Sequence, residues 1–420
     1  MRFFLLVAVF FSVQMSFGAE KVADALLASA RKGDIASQLR LADEFMFGKN
    51  GRQLSPPLAV YWFRQAALQD SPAGQYNLAL CYINGWGSAK RRAAGFRYLC
   101  KALQNGVVQA ASIYASMLYD GVAAAEDPEG NLPEIKAAPD EAIRLLRQYA
   151  KIDAASEKLL AQYLFRNIER YGAELIPLLD NHSRKNDPDP EMLLLYAACL
   201  RSGTGGRTDP LRAAEILERA VKMNYPEAMA QLAEMLYLGF GIKADLERAD
   251  KLIDTALALG SPRAMVDRGV AHLNGMRFPH DPHRAYELFS LAAAKKYPPA
   301  LRQLGFCCSA GIGTAKDEKK ALKYFSQAAG AGDAPAMFDL AECFRYGRGT
   351  EVDLRAAYLW YLRGANNGEI NAMREVGMAL LNGHGTAQDR VEAEKWLRRA
   401  AGAGDDRAAQ QLNISGAAPF

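Results

Sequence analysis

The residues best suited to chemistry in this 420-residue sequence are six cysteines and five histidines, and their spacing argues for packing. Cys81, Cys199, Cys307 and Cys343 each stand four residues before a recurring glycine, where Met235, Ala271 and Ala379 stand elsewhere. Such a column wants a modest apolar side chain, and a free thiol behaves as a small hydrophobe. Cys308 falls in the next column, with Leu200, Leu236, Phe344 and Leu380; Cys100 lies outside both. Stacked helices lie about 8–10 Å apart, beyond the usual disulfide span between Cα atoms. Buried thiols are therefore expected, with Cys81–Cys100 the pair to bridge if any does. No C-x2-C pair suggests a structural zinc site.

His280 and His283 flank Asp281 in FPHDPH, which reads either as a metal-binding loop or as a proline-rich turn between helices. His272 occupies the Leu236 column and is expected to pack; His384 lies between two turn glycines and is expected to face solvent. No G-x-S-x-G, H-E-x-x-H or Walker-type loop is present. The many G-x-G pairs follow no strand, so they are helix turns and not nucleotide loops. Carboxylate pairs such as Asp339 and Glu342 suit a solvated helix face. The expectation is a protein that is not an enzyme, with no catalytic residues, cofactor or metal.

The elements that position these residues repeat. Glycine recurs at 203, 239, 275, 311, 347 and 383, each step 36 residues long. Asp209, Asp245, Asp281, Asp317, Asp353 and Asp389 follow at a fixed offset, and then Ala213, Ala249, Ala285, Ala321, Ala357 and Ala393. Each column has a mechanical reason. Gly239, Gly311, Gly347 and Gly383 end a first helix in the left-handed conformation. The aspartate caps a second helix by accepting from its free N–H groups. The alanine lets the two helices approach. Gly260, Gly332, Gly368 and Gly404 then end the second helix. One such hairpin cannot bury its own apolar face, so neighbours must stack.

Two stretches carry a family pattern: LAECFRYGRGTEVDLRAAYLWYLRGANNG from Leu340 and VGMALLNGHGTAQDRVEAEKWLRRAAGAG from Val376. They resemble the Sel1-like repeat, a relative of the tetratricopeptide repeat whose own period is 34 residues. The resemblance implies an all-α fold, a right-handed α/α solenoid of helical hairpins, with about nine units plus a degenerate central pair. It also implies a scaffold that assembles protein complexes, here in an exported bacterial member. A cysteine-rich secreted subgroup linked to β-lactam binding carries paired cysteines in each repeat. This chain lacks that pairing, which argues against a β-lactam-binding or hydrolase-like member.

The opening residues, MRFFLLVAVFFSVQMSFGAEK, read as a secretory signal. Arg2 is its basic region, Phe3 to Val13 its apolar core, and Ser16-Phe17-Gly18 its small-residue site, which places cleavage after Gly18. The domains expected are a signal at 1–18, an N-terminal helix at 19–33, and repeats at 34–121. An insertion with degenerate repeats follows at 122–190, then regular repeats at 191–407 and a cap and tail at 408–420. Within 122–190, Ala142 to Ala150, Leu159 to Tyr171 and Ala173 to His182 read as helical. The location expected is outside the cytoplasm, periplasmic or secreted, with no transmembrane segment.

With 51 basic and 47 acidic residues the charge is nearly balanced, which gives no support for nucleic acid as partner. On the first helix, positions nine, five and two before the glycine share a stripe. Its varied members Arg302, Phe306, Phe338, Glu342 and Arg345 are the candidate groove residues for a protein or peptide partner. The alternative is that the apolar ones pack between repeats. Cell-wall glycan is the second partner class, with Trp86 and Tyr346 as stacking platforms.

Overall fold

The computed structural model describes residues 19–122, 135–275 and 277–414. The signal segment, most of the inserted loop and residues 415–420 lie outside the described residues. Among the described residues every regular element is a helix, apart from an isolated antiparallel bridge between Val122 and Ile135. The chain divides into two compact units at Asn181 and His182.

The first unit contains α1 (Ala19–Arg31), α2 (Ile35–Phe47), α3 (Pro56–Leu68), α4 (Pro72–Asn84) and α5 (Arg92–Gln104). It continues with α6 (Ala110–Asp120), α7 (Pro139–Tyr149), α8 (Ala154–Arg166) and α9 (Ile168–Ser183), at whose end the division falls. The second unit runs α10 (Pro190–Ser202), α11 (Pro210–Lys222), α12 (Pro226–Leu238), α13 (Leu246–Ala258), α14 (Pro262–Asn274) and α15 (Pro282–Ala294). It ends with α16 (Pro298–Ala310), α17 (Glu318–Gly330), α18 (Ala334–Tyr346), α19 (Leu354–Asn366), α20 (Ile370–Asn382), α21 (Arg390–Gly402) and α22 (Asp406–Ile414). Within each unit a first helix packs on its own second helix, and the second on the next repeat's first, so each unit is an α-solenoid of helical hairpins.

One repeat shows why. Asp333 accepts from the Ala336 N–H at 2.8 Å and starts α18. Gly347, at φ 67°, ends it by returning its N–H to the Cys343 carbonyl. Asp353 then accepts from the Ala356 N–H at 2.9 Å and starts α19. Asp209, Asp245, Asp281, Asp317 and Asp389 cap their helices in the same way, each cap contributing about 1 kcal/mol. Where the closing glycine is absent, Asn224 and Lys296 hold left-handed φ values of 56° and 60°.

The core is built from close approaches. A Cβ on Gly305 would lie 2.5 Å from the Phe325 ring, so glycine there lets α16 rest directly on α17. The conserved-offset alanines Ala213, Ala249, Ala321, Ala357 and Ala393 are buried for the same reason. In the second unit α12 touches α14 and α14 touches α16, contacts that the second helices make less. Around α14 the first helices therefore approach one another more closely than the second helices do, which makes theirs the inner layer there.

The break in the degenerate pair falls elsewhere than expected. The sequence placed it near Gly172, which lies inside α9; the helices separate at Asn167. Its amide donates to the Tyr119 hydroxyl and the Tyr163 carbonyl, both at 2.8 Å, which satisfies the end of α8. All six cysteines are free, Cys81 and Cys100 included. Burial pushes the Cys81 thiol up to about 12 and those of Cys199, Cys307 and Cys343 up to about 11. They are protonated and unreactive at neutral pH. His272 is only half-buried, because its column opens at this turn: Nδ1 lies 3.2 Å from the Pro279 carbonyl and the ring leans on Phe278.

Candidate partner-binding site

The inner layer of the second unit carries ion pairs between neighbouring repeats, in one run from α10 to α14 and another from α16 to α22. Glu234 on α12 takes Arg201 of α10 at 3.1 Å and Arg263 of α14 at 2.9 Å. Arg302 on α16 reaches Asp339 on α18 at 2.5 Å. Arg345, at the end of α18, holds Glu375 on α20 at 2.6 Å. Arg374 binds Glu375 at 3.1 Å and Asp405 at 2.5 Å, and Asp405 also caps α22. The pairs run from partly exposed at Glu234 to largely buried at Arg374 and Asp405; the exposed ones are worth about 1 kcal/mol, and together the pairs fix how one repeat sits on the next.

The five groove residues fall into two neighbouring groups on this layer. On α16 the Arg302 guanidinium lies over the Phe306 ring at 5.0 Å, and Phe306 packs edge-on against Phe325 at 5.2 Å. Phe306 remains 38% exposed, enough to meet a partner. On α18 Phe338 leans on Tyr361 at 5.6 Å, Glu342 accepts the Tyr361 hydroxyl, and Arg345 stands 3.8 Å from Glu342. Burial and then the Glu342 hydrogen bond hold Tyr361 protonated far above the usual phenol range. Burial alone would lower Arg345, yet Tyr361 and Glu375 raise it above its ordinary value. Asp339 and Glu342, read from sequence as solvated carboxylates, are thus engaged, and burial lifts Asp339 above its ordinary range despite Arg302.

Beside the second group opens a pocket of about 300 Å³. Arg345, Tyr358, Arg374, Met378, His384 and Arg407 are among its walls, drawn from α18, α19, α20, the turn after it and α22. Sequence reasoning did not select Tyr361, Glu375, His384 or Arg407 as site residues. A readable signal existed for one: eight positions before the glycine the column reads Leu195, Gln231, Asp267, Gln303, Asp339 and Glu375, polar throughout its last five members and acidic at three of them. Among the described residues no group of His, Cys, Asp and Glu is placed to hold a metal ion. His280 Nδ1 instead lies 2.8 Å from the Leu273 carbonyl. Trp86 and Tyr346 are 37% and 53% exposed, and the Tyr346 ring is flanked by Arg345 and Arg348.

The Sel1 repeat model matches eight successive stretches: 35–71, 72–107, 190–225, 226–261, 262–297, 298–333, 334–369 and 370–405. The chain is a Sel1 repeat protein. Members of this family are generally protein–protein interaction scaffolds and typically non-catalytic. Among solved structures, the Sel1 chain is similar to c5321, a protective antigen of uropathogenic Escherichia coli strains with an SLR fold. The TM-score is 0.52 at 20% identity, over 96% of this chain and 91% of that one. A Sel1 repeat protein from Oxalobacter formigenes is 27% identical over 58% of this chain and 98% of its own, with a TM-score of 0.45. The immunity protein Pa5087 from Pseudomonas aeruginosa is 21% identical over 53% and 85%, with a TM-score of 0.42. No helix among the described residues is long and apolar enough to cross a membrane.

Proposed function

We propose that this Sel1 repeat protein is an exported scaffold that binds a protein or peptide partner and helps assemble an envelope or secreted complex. The observation that carries the reading is the inner layer of the second unit. There Arg302, Phe306, Phe338, Glu342 and Arg345 present arginine and aromatic side chains from adjacent repeats on one continuous row of first helices. Arginine and aromatic residues dominate the energetics of protein interfaces. Export is supported by the three-part signal pattern of residues 1–18.

Charge reversal at Arg345 would set three carboxylates against one another, since Glu342 and Glu375 already face it. The pair Phe306→Ala with Arg345→Gln is the cleaner test. In affinity capture from the envelope extract of the source organism, the unaltered chain should retain a defined protein. The double variant should retain about ten-fold less of it, as expected when two interface anchors are lost, while still unfolding cooperatively at a melting temperature only a few degrees lower, as the lost Glu375 pair and Phe325 contact require. Equal capture by both would overturn the assignment of this face. Recovery of wall fragments alone would move the reading to glycan binding through Trp86 and Tyr346.

A further inference from the structure

The 36-residue register allows one repeat to be laid on another, and it isolates a charge that has lost its partner. Arg201, Glu234 and Arg263 form a clamp in which one carboxylate sits between two guanidiniums, at 3.1 and 2.9 Å. Four repeats later the same three columns are occupied by Arg345, Met378 and Arg407. Both arginines are kept, and the glutamate has become methionine. The pocket of about 300 Å³ lies at this place, with all three residues in its wall.

The charges there are unevenly met. Glu375 is saturated, with one oxygen on Arg374 and the other on Arg345. Arg374 is further neutralised by Asp405. Among the described residues Arg407 has no ion-pair or hydrogen-bond partner, and its counterpart Arg263 is the one that holds Glu234. Gln411, His384 and Tyr358 also line the pocket, and their side chains have no hydrogen-bond partner among the described residues. Leu354, Ala357 and Met378 supply an apolar floor. An unpaired guanidinium with further polar side chains around it, over an apolar floor, fits a carboxylate carried on a short aliphatic stem.

We propose that this pocket receives an aspartate or glutamate side chain of the partner, which completes between Arg345 and Arg407 the clamp that Glu234 completes internally. The inference rests on the scaffold reading above and adds to it the chemistry of the partner: an acidic peptide segment. Specificity follows from the same geometry, because a glutamine in place of glutamate would leave the Arg407 charge unmatched.

The test uses the full chain and a fluorescein-labelled, C-terminally amidated peptide of alternating glycine and glutamate, beside the same peptide with glutamine, read by fluorescence anisotropy. The glutamate peptide should bind at least about ten-fold more tightly than the glutamine peptide, the factor expected for one charge-assisted hydrogen bond. Arg407→Ala should remove that preference. Met378→Glu should remove it as well, by placing the carboxylate within the chain, while leaving the thermal melt equal or higher. Equal binding of the two peptides, no binding of either, or a preference that survives Met378→Glu would overturn the proposal. Capture of a partner protein that depends on Phe306 but is indifferent to Arg407→Ala would leave the scaffold reading standing and the pocket assignment refuted.

Discussion

Two turns of the second unit occupy the same place in the repeat and solve it differently. In repeat 334–369 the turn runs Gly347-Arg348-Gly349, and Gly349 lies so close to the preceding repeat that a Cβ would stand 2.2 Å from the Glu318 carbonyl oxygen. Gly385 sits likewise, 2.0 Å from the Leu354 carbonyl oxygen. In repeat 262–297 the equivalent residue is Arg277, which carries a side chain at φ 65°. Its guanidinium donates to the Leu246 carbonyl at 3.2 Å and to Asp250, and lies 5.4 Å from the Tyr237 ring. Correspondingly, α13 and α14 touch least of all consecutive helices in the second unit, while α12 and α14 touch most among the first-helix pairs. The second glycine is thus a requirement for close stacking. Where it is replaced, the outer layer opens and an arginine staples the gap.

The most damaging way to probe this comparison is to give the tight turn the residue of the open one. Gly349→Arg adds a Cβ against Glu318 in a left-handed conformation. Overpacking and backbone strain together should cost about 3 kcal/mol or more. Thermal unfolding followed by circular dichroism should show a fall of many degrees or a separate early transition for the last repeats. A variant that melts like the parent would mean that the turn can open at any repeat and that Gly349 is not a closure requirement.

How far this was legible in advance varies with the physical cause. The capping aspartates, the helix-ending glycines and the buried alanines were readable because each column meets one local demand, and most repeats of the second unit restate it. The ion pairs were not. Arg302 and Asp339 lie 37 residues apart, so their meeting depends on how two repeats stack, which no local pattern encodes. The same holds for Tyr361 and Glu342, which read separately as a helix aromatic and a surface carboxylate. The end of α8 at Asn167 was missed because it has no glycine and is set by a side chain from another helix, Tyr119. Arg277 was visible as an exception to G-x-G, but its consequence depends on the Leu246 carbonyl, which only the packed structure supplies.

A smaller effect distinguishes the same two repeats at their acidic column. Asp339 is joined to Arg302 at 2.5 Å, whereas Asp267 has Arg263 only at 3.7 Å, and that arginine is shared with Glu234. Burial, relieved in part by Arg263 and worsened by Glu234, lifts the Asp267 carboxyl to about 6. The unfolded chain titrates near 3.9, so the folded state binds the extra proton between these values. Its penalty is full above pH 6 and is relieved as the pH falls toward 4. The side chain is 38% exposed, so water screens the charge and the net penalty is about 1 kcal/mol. Asp267→Asn should therefore raise the urea midpoint at pH 7.5 and lose that advantage at pH 4.5. Burial also lifts the Asp339 carboxyl, but Arg302 offsets more of it, so Asp339→Asn should raise the midpoint at pH 7.5 by less than Asp267→Asn does. Equal responses of the two variants would erase the electrostatic half of the comparison.

The finest test restores glycine at the open turn. Arg277→Gly removes the left-handed strain of a side-chain-bearing residue, worth about 1–2 kcal/mol. It also frees the unfolded chain by about 0.5–1 kcal/mol and removes the Asp250 pair and the Tyr237 contact, together about 1 kcal/mol. These contributions nearly cancel, so the melting temperature should move little. Local opening should change more than global stability, because the turn can then seat on the Leu246 carbonyl as Gly349 seats on that of Glu318. Amide hydrogen exchange in α13 and α14 should slow relative to α17 and α18. A clear loss of melting temperature with exchange unchanged would show that Arg277 holds the junction together and does not hold it open. The gap would then have to originate elsewhere, in the side chains between Leu246–Ala258 and Pro262–Asn274.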